Sequence, residues 1–141
     1  MDAQFITPNV KDRETHVFFE AAAEGRLVFR ACNRCHRGIH PPSEHCGFCG
    51  SWETAWRNAV GTGTLYAWTT VIHQTHARYP TPYTTIVVTL DDNSDVRLVG
   101  YLEGQPELKM GMPMQVWFQE IAPGVVLPQW RPTGPSSEPA A

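Results

Sequence analysis

The residues with the clearest chemistry are the four cysteines of the chain, Cys32, Cys35, Cys46 and Cys49. They form two C-x2-C pairs with ten residues between the pairs. Each pair can direct two sulfurs at one point, and two pairs complete the tetrahedron that Zn²⁺ accepts with Zn–S bonds of roughly 2.3 Å. The spacing therefore predicts that the four cysteines are zinc ligands. Because protein would fill every position, the predicted metal has a structural role and not a catalytic one.

Three other chemistries compete for these cysteines. Two disulfides need an oxidising compartment, but residues 1–25 show no basic start followed by an apolar run, so we expect a cytoplasmic protein without a signal peptide. Haem c attachment would use Cys32, Cys35 and His36, and it would leave the second pair without a role. A dithiol redox centre requires a C-x-x-C that opens a helix. Glycines near both pairs instead favour tight turns, so structural zinc is the preferred interpretation.

Net charge argues against nucleic acid as a partner, and the length of the apolar stretches argues against a membrane. The formal net charge is −3, with 11 Lys and Arg against 14 Asp and Glu. Nucleic-acid binding takes much of its affinity from cations that neutralise phosphates, so this balance disfavours it. No apolar stretch approaches the roughly 20 residues that cross a bilayer, so no membrane partner is expected.

The pattern of apolar residues predicts one helix followed by strands. Residues 8–24 have helical spacing, with Pro8 in the first turn and Gly25 as the stop. Strands are predicted on either side of the cysteines, over residues 26–31 and 54–60. After residue 63 the chain shows period-2 runs rich in β-branched and aromatic residues. These further strands are predicted at 64–73, 84–90, 95–103, 113–121 and 125–130.

These elements define the predicted architecture, a mainly β chain with three ordered parts. Residues 1–25 form an N-terminal helical segment and residues 26–60 a rubredoxin-like zinc ribbon, which metal binding would stabilise. Residues 61–131 form an OB-fold, because five or so strands with little helix favour a small closed or half-closed barrel. Residues 132–141 lack any pattern that could bury surface and are predicted to be a disordered tail.

Aromatic residues of the predicted barrel leave an alternative function open. OB-folds often stack nucleic-acid bases on Trp, Tyr or Phe, so a single-stranded nucleic-acid module is the second hypothesis. A small barrel also needs large side chains to fill its interior, and we expect most of these aromatic residues to be core. The residues concerned are Tyr66, Trp68, Tyr101, Trp117 and Trp130.

A set of short motifs in a fixed order carries a family resemblance over almost the whole chain. On the N-terminal side they are Phe18-Phe19-Glu20, Glu24-Gly25-Arg26-Leu27, Pro41-Pro42 and Cys46-x-x-Cys49-Gly50-Ser51. Farther along they are Gly61-Thr-Gly-Thr-Leu-Tyr, Trp68-Thr69, Pro82-Tyr83, Val96-Arg97-Leu98, Gly111-Met112-Pro113 and Leu127-Pro128. The chain thus resembles the zinc-ribbon plus OB-fold proteins, formerly a domain of unknown function, that accompany thiolase-like enzymes.

The resemblance implies a function in a complex. Such a chain would be a non-catalytic accessory subunit that binds a thiolase or a sterol-carrier-type thiolase acting as an aldolase. The partner would act on acyl-CoA thioesters in steroid side-chain, aromatic or isoprenoid metabolism. Two positions depart from the family pattern, Ser43 where Arg is frequent and Gly47 where Pro is frequent, and neither is a predicted ligand.

Candidate partner-binding residues are rigid prolines and aromatic residues, which make contacts at a low cost in entropy. They are Phe19, Pro41, Pro42, Tyr79 and Tyr83. No catalytic residue is predicted, and no acyl-CoA-binding residue can be chosen from the scattered cations. The sequence therefore assigns the metal site to particular residues and leaves the substrate contacts unassigned.

Overall fold

The structure is a computed structural model that describes residues 4–133. Within this range the chain forms one helix and eight strands. In chain order they are α1 (His16–Ala23), β1 (Val28–Cys32), β2 (Gly38–Ile39), β3 (Thr54–Asn58), β4 (Thr62–Val71), β5 (Tyr83–Leu90), β6 (Arg97–Glu103), β7 (Pro113–Ala122) and β8 (Val125–Pro132). The predicted mainly β fold with an N-terminal helix is confirmed.

The three short strands around the cysteines form an antiparallel sheet in the order β2-β1-β3. Strand β1 ends at Cys32 and thereby delivers the first cysteine pair to the end of the sheet. Its partner β3 carries the chain away from the second pair and extends the ladder at Ala59, whose N–H donates to the carbonyl of Leu27 at 2.9 Å. This unit, residues 26–60, is called the ribbon below.

The remaining five strands form a second antiparallel sheet in the order β6-β5-β4-β7-β8. Strands β5 and β6, which correspond to the predicted strands at 84–90 and 95–103, pair as a hairpin through the turn at residues 91–95. The two edge strands β6 and β8 contact each other, and the N–H of Tyr101 donates to the side-chain Oε1 of Gln129 at 3.0 Å across this seam. The sheet is therefore a half-closed barrel, with a side chain bridging the place where a ladder would complete it.

The predicted alternation along β4 is wrong after Leu65. A bulge shifts the register between Leu65 and Ala67, because two residues of β4 oppose one of β5. Leu65 is buried, whereas Tyr66 is 48% and Trp68 is 41% exposed. The expectation that most barrel aromatics are core fails for these two residues, while Trp130 is fully buried.

The helix is shorter than the predicted range of 8–24. Side-chain oxygens of Asn9 and Asp12 accept backbone N–H groups two residues later, and such local bonds compete with helix. The predicted end is confirmed, because Gly25 has φ +76° and follows the last helical turn directly. The N–H groups of Gly25 and Arg26 donate to the carbonyls of Ala22 and Ala21, which is the Schellman arrangement.

The hydrophobic core lies in the barrel and extends into the ribbon. Leu27, Phe29 and Ala31 of the ribbon belong to the same buried cluster as the barrel residues, and Phe18 of α1 packs against it. The barrel members are Leu65, Ile86, Val88, Leu90, Val96, Leu98, Met114 and Trp130. One face of β1 is thus part of the barrel core, so the ribbon does not stand as a separate unit.

The predicted domain boundaries at residues 25, 60 and 131 stay a prediction, although the two sheets divide near residue 60. Strand β8 extends to Pro132, and Thr133 donates its N–H to the carbonyl of Pro113. Residues 134–141 of the predicted tail lie outside the described range. Over residues 4–133, no helix combines the length and apolar character needed to span a bilayer.

Candidate metal centre and the cavity at the barrel seam

The four cysteine sulfurs converge on one point at the end of the ribbon sheet. The ligand atoms of Cys32, Cys35, Cys46 and Cys49 all lie within 4.8 Å of one another. The Sγ atoms of Cys32 and Cys49 are 3.6 Å apart, and so are those of Cys35 and Cys46. A disulfide needs about 2.05 Å. The edge of a zinc tetrathiolate tetrahedron with 2.3 Å bonds is roughly 3.8 Å, and the observed spacing fits that figure.

Backbone groups surround the sulfurs as hydrogen-bond donors. The N–H groups of Arg34 and Cys35 both donate to the Sγ of Cys32 at 3.4 Å. The pKa of Cys32 is lowered to about 6, chiefly because of the Cys35 N–H. The pKa of Cys46 is also lowered, with the N–H of Cys49 as the largest cause. These donors favour thiolates, which are the form that binds metal.

Cys35 behaves in the opposite way among the same four thiols. The N–H of Arg37 acts to lower its pKa, but burial and the other three sulfur groups outweigh that donor and raise the pKa to about 11. Four sulfurs this close together would repel one another if all were anionic, so without a cation one of the four thiols stays protonated. A divalent cation would remove this conflict by neutralising the sulfurs. The donor set therefore fits a metal ion.

A cavity of about 420 Å³ lies at the barrel seam, beside the helix and the ribbon. It is lined by Phe18 of α1, by His40 of the ribbon, by Tyr79 of the β4–β5 loop, and by residues of β5, β6 and β8. A neighbouring cavity of about 180 Å³ shares Tyr79 and Tyr101 with it. Cavities of this size that are mainly apolar with a few polar groups are typical binding sites.

An aromatic cluster forms the wall between the two cavities. Tyr79 lies 5.8 Å from Phe5, 6.3 Å from Tyr83 and 6.1 Å from Tyr101, measured between ring centroids. Tyr83 and Tyr101 lie 5.2 Å apart. The pKa of Tyr101 is raised, first because of burial and second because of the charge of Glu103. The packing of these rings holds the β4–β5 loop on the barrel.

The structure places the five predicted partner-binding residues around the larger cavity. Tyr79 lines it directly. Phe19 packs edge-on against the lining residue Phe18 at 5.4 Å, and Tyr83 is held to Tyr79. Pro41 and Pro42 directly follow the lining residue His40, with Pro41 exposed and Pro42 partly buried. The five residues therefore border one region of the surface, while their role as contacts stays a prediction.

Three polar residues in the tertiary structure have no clear signal in the sequence. His40 lines the cavity, and burial of its ring there lowers its pKa. Gln129 is buried at the seam and bonds both Tyr101 and Gln119. Asp95 lies at the end of the β5–β6 turn, residues 91–95, and touches the ribbon. Each of these roles depends on contacts between residues far apart in sequence, so the local pattern does not reveal it.

The fold and the metal site define a class of protein, a tetracysteine ribbon joined to an OB-fold barrel. Two family models match the chain: the ChsH2 rubredoxin-like zinc ribbon domain over residues 19–53 and the ChsH2 C-terminal OB-fold domain over residues 56–119. The chain belongs to the ChsH2 family, also known as DUF35. The predicted family and fold class are confirmed.

Two relatives are about one third identical to the chain over the aligned residues. A solved structure named "Ltp2-ChsH2(DUF35) aldolase" contains a chain 33% identical, with 89% of this chain and 98% of that chain covered and a TM-score of 0.78. A curated protein of Thermomonospora curvata, "Probable enoyl-CoA hydratase alpha subunit", is 34% identical over 129 residues. The match covers 90% of this chain, which spans only 40% of the length of that relative.

A third solved structure supports the fold alone. It is a DUF35-family protein of unknown function from Sulfolobus solfataricus, 14% identical to the chain. The match covers 72% of this chain and 75% of that one, with a TM-score of 0.57. The shared fold therefore persists where little sequence similarity remains.

Proposed function

We propose that this chain is a non-catalytic accessory subunit, held in shape by one zinc ion, of a thiolase-like aldolase that acts on acyl-CoA thioesters. The observation that carries the proposal is the match to nearly the full length of the ChsH2 chain, in a structure whose name pairs it with Ltp2 as an aldolase. The name of the Thermomonospora relative, a CoA-thioester hydratase subunit, supports the same class of substrate. The substrate of the partner enzyme would determine whether the complex works in steroid side-chain, aromatic or isoprenoid metabolism.

The proposed zinc ligands are Cys32, Cys35, Cys46 and Cys49, which together match the four-thiolate set of structural zinc sites. When bound, the ion would supply structural stabilisation and no open coordination position. Tetrahedral sulfur sites also accept iron. Metal analysis of the purified chain tests the choice, and we expect one zinc per chain and no visible absorption. A red protein with one iron per chain would contradict the zinc assignment.

The proposed docking surface is the region around the seam cavity that Phe19, Pro41, Pro42, Tyr79 and Tyr83 border. It combines aromatic side chains and prolines, whose contacts lose little entropy on binding. It also joins helix, ribbon and barrel, so a partner that binds there would contact all three. This continuity supports a role for the metal site in docking, because the ribbon carries Pro41 and Pro42.

Co-expression with a thiolase-like aldolase of the Ltp2 type tests the partner. We expect the two proteins to co-elute on gel filtration and to cleave a β-hydroxyacyl-CoA thioester together, with no cleavage by this chain alone. A chain that turns over the thioester by itself would contradict the non-catalytic role. Failure of the two proteins to associate at micromolar concentration would contradict the accessory role.

Single substitutions test the surface within that complex. Phe19→Ala should weaken binding about tenfold or more, as hot-spot aromatics do. Trp68→Ala is the matched control, because Trp68 is an exposed aromatic of β4 that lines neither the seam cavity nor its neighbour. A complex weakened by the Trp68 substitution and indifferent to Phe19→Ala would show that the docking surface is misplaced.

A single-stranded nucleic-acid module remains the second candidate function, and one observation favours it. Tyr66 and Trp68 are exposed on β4, and the guanidinium of Arg97 lies 3.9 Å from the Tyr66 ring centroid. Aromatic and arginine planes of this kind stack bases. The acidic net charge argues against it. A salt-sensitive shift of single-stranded DNA or RNA that Tyr66→Ala abolishes would establish this alternative.

A further inference from the structure

The turn between β5 and β6, residues 91–95, lies against the ribbon. This β5–β6 turn belongs to the barrel, yet the carboxylate of Asp95 accepts the N–H of Gly38 at 3.2 Å, across 57 positions of sequence. Gly38 opens β2 and stands three residues after Cys35. A barrel side chain therefore bonds the backbone that leaves the first cysteine pair.

Asp95 also faces a cation of the same segment. The Nη1 atom of Arg37 lies 3.8 Å from Asp95 Oδ1, with the two side chains 51% and 35% exposed. So exposed a pair contributes little by charge alone. Its importance is geometric, because the guanidinium also lies 4.2 Å from the ring centroid of Phe48. Phe48 stands between Cys46 and Cys49, so Arg37 connects the β5–β6 turn to the second cysteine pair as well.

The backbone completes the connection to a sulfur ligand. The carbonyl of Arg37 accepts the N–H of Cys32 at 2.9 Å, and Gly38 pairs with Ala31 in the sheet. The position of residues 37 and 38 therefore sets where β1 places Cys32. A shift of these two residues would move a ligand directly.

Close packing makes this contact specific. A Cβ at Gly38 would lie 2.6 Å from both Asn93 Oδ1 and Val96 Cγ2, distances that real Cβ atoms do not show. Only glycine lets the β5–β6 turn approach the ribbon this closely. The contact therefore depends on residues from both units and is not an accident of one flexible side chain.

We propose that Asp95 of the barrel is a positioning residue of the metal centre, which holds Gly38 and Arg37 in place and thereby slows release of the metal ion. The inference rests on the proposed metal function of the four cysteines. Residues that orient metal ligands from outside the coordination shell typically change metal affinity roughly 10–100-fold when they are replaced. Asp95 acts through the backbone of Gly38, so an effect near the low end of that range, about tenfold, is expected.

Metal-release kinetics of the full chain test this role. Zinc-loaded protein is mixed with excess 4-(2-pyridylazo)resorcinol, and the rate of zinc transfer is followed by absorbance. Asp95→Ala should release zinc about ten times faster than the wild-type chain. Asp95→Asn keeps an oxygen that accepts the Gly38 N–H, so its rate should stay within about twofold of wild type.

The matched control is Asp91→Ala in the same turn. Asp91 accepts the hydroxyl of Thr64 at 2.9 Å, a contact within the barrel, so its loss should leave the release rate within about twofold of wild type. Two further readouts separate positioning from general destabilisation. In Asp95→Ala the amide of Gly38 should exchange faster, and the Co²⁺-substituted protein should show shifted cobalt absorption bands.

Three results would overturn the inference. They are an Asp95→Ala rate within twofold of wild type, an Asp91→Ala rate equal to that of Asp95→Ala, and an Asp95→Asn rate as fast as Asp95→Ala. A wild-type chain that holds no metal would instead refute the proposed metal function. The two failures are distinguishable, because metal content is measured before any release rate.

Discussion

The ribbon and the barrel differ in what can stabilise their folded structures. In the barrel, buried apolar side chains from all five strands or their ends form one cluster around the fully buried Trp130. The ribbon's own cluster contains only Cys32, Ile39 and Cys46, with Cys35 packed against it. So few apolar residues cannot balance the entropy of ordering the segment, and small units of this kind rely on metal binding. The proposed metal would therefore take the place of a core in the ribbon, which is too short to build one.

Strand β1 takes part in both the candidate metal site and the barrel core. It ends at Cys32, a proposed ligand, while its residues Phe29 and Ala31, and Leu27 just before the strand, belong to the barrel cluster. Loss of metal should therefore loosen the two C-x2-C turns and β2 before it loosens β1. The substitutions below test whether the ribbon and the barrel depend on different forces, as this division requires.

Cys46→Ser should have the largest effect, and it should destabilise the ribbon without unfolding the barrel. It removes one of the four proposed ligands, and zinc binding supplies roughly 10–16 kcal/mol of folding free energy in isolated zinc-finger peptides, so the ribbon should lose a large part of its stabilisation. We expect zinc content to fall well below one per chain and amide exchange to rise over residues 33–53, while β4 to β6 stay protected. Gly47→Ala is the control, because a Cβ there meets nothing within 4 Å. Unchanged zinc content in Cys46→Ser would contradict the metal site.

Trp130→Ala should have the opposite pattern of effects: it should destabilise the barrel and leave the zinc content unchanged. Trp130 is fully buried, and replacing such a residue by alanine typically costs about 3–5 kcal/mol of unfolding free energy. Urea unfolding followed by circular dichroism measures the loss, and zinc content should stay at one per chain. The indole Nε1 of Trp130 has no hydrogen-bond partner among residues 4–133. Trp130→Phe removes this unpaired donor and should therefore cost less than Trp130→Ala.

Gly63→Ala tests how tightly the barrel is packed, and the expected effect is smaller. A Cβ at Gly63 would lie 2.4 Å from Val88 Cγ1 and 2.8 Å from the carbonyl oxygen of Thr89. The backbone atom cannot move aside cheaply, so we expect a loss of about 1–3 kcal/mol, as for other overpacked cores. Gly47→Ala again provides the neutral comparison. Equal stability of the two variants would show that β4 and β5 can separate without cost.

The smallest effect concerns pH and the cavity between the two units. The pKa of His40 is lowered from its ordinary value near 6.5 because burial disfavours the charged imidazole. As pH falls below about 6.5, the unfolded chain takes up this proton more readily than the folded chain, so folding stability should decline over that window. Urea midpoints at pH 7.5 and 5.5, with zinc content checked at both, measure the decline. His40→Gln should reduce it, and an NMR titration that gives His40 an ordinary pKa would contradict the assignment.

Much of this architecture follows from local sequence signals. The C-x2-C-x10-C-x2-C spacing predicts the sulfur cluster because each knuckle is a local turn. Gly25 ends the helix, as predicted, because a positive φ there costs glycine little. The strand order near the β5–β6 turn was predictable too, since a short turn leaves neighbouring strands one way to pair.

Other features depended on contacts between distant parts of the chain. The bulge in β4, which exposes Tyr66 and Trp68, results from pairing with β5 and leaves no mark on the pattern of β4 itself. The shared core was also missed, because period-2 alternation says which face of β1 is apolar and not what covers it.

The sequence by itself determined that four cysteines come together as a candidate metal site and that strands follow them, because spacing and periodicity are local properties. Only the tertiary structure decided that Asp95 touches Gly38, that Gln129 bridges the seam, and that Phe18, His40 and Tyr79 line one cavity. Each of these contacts joins residues separated by tens of positions. Their geometry depends on how two sheets pack, and packing energy belongs to the folded molecule as a whole.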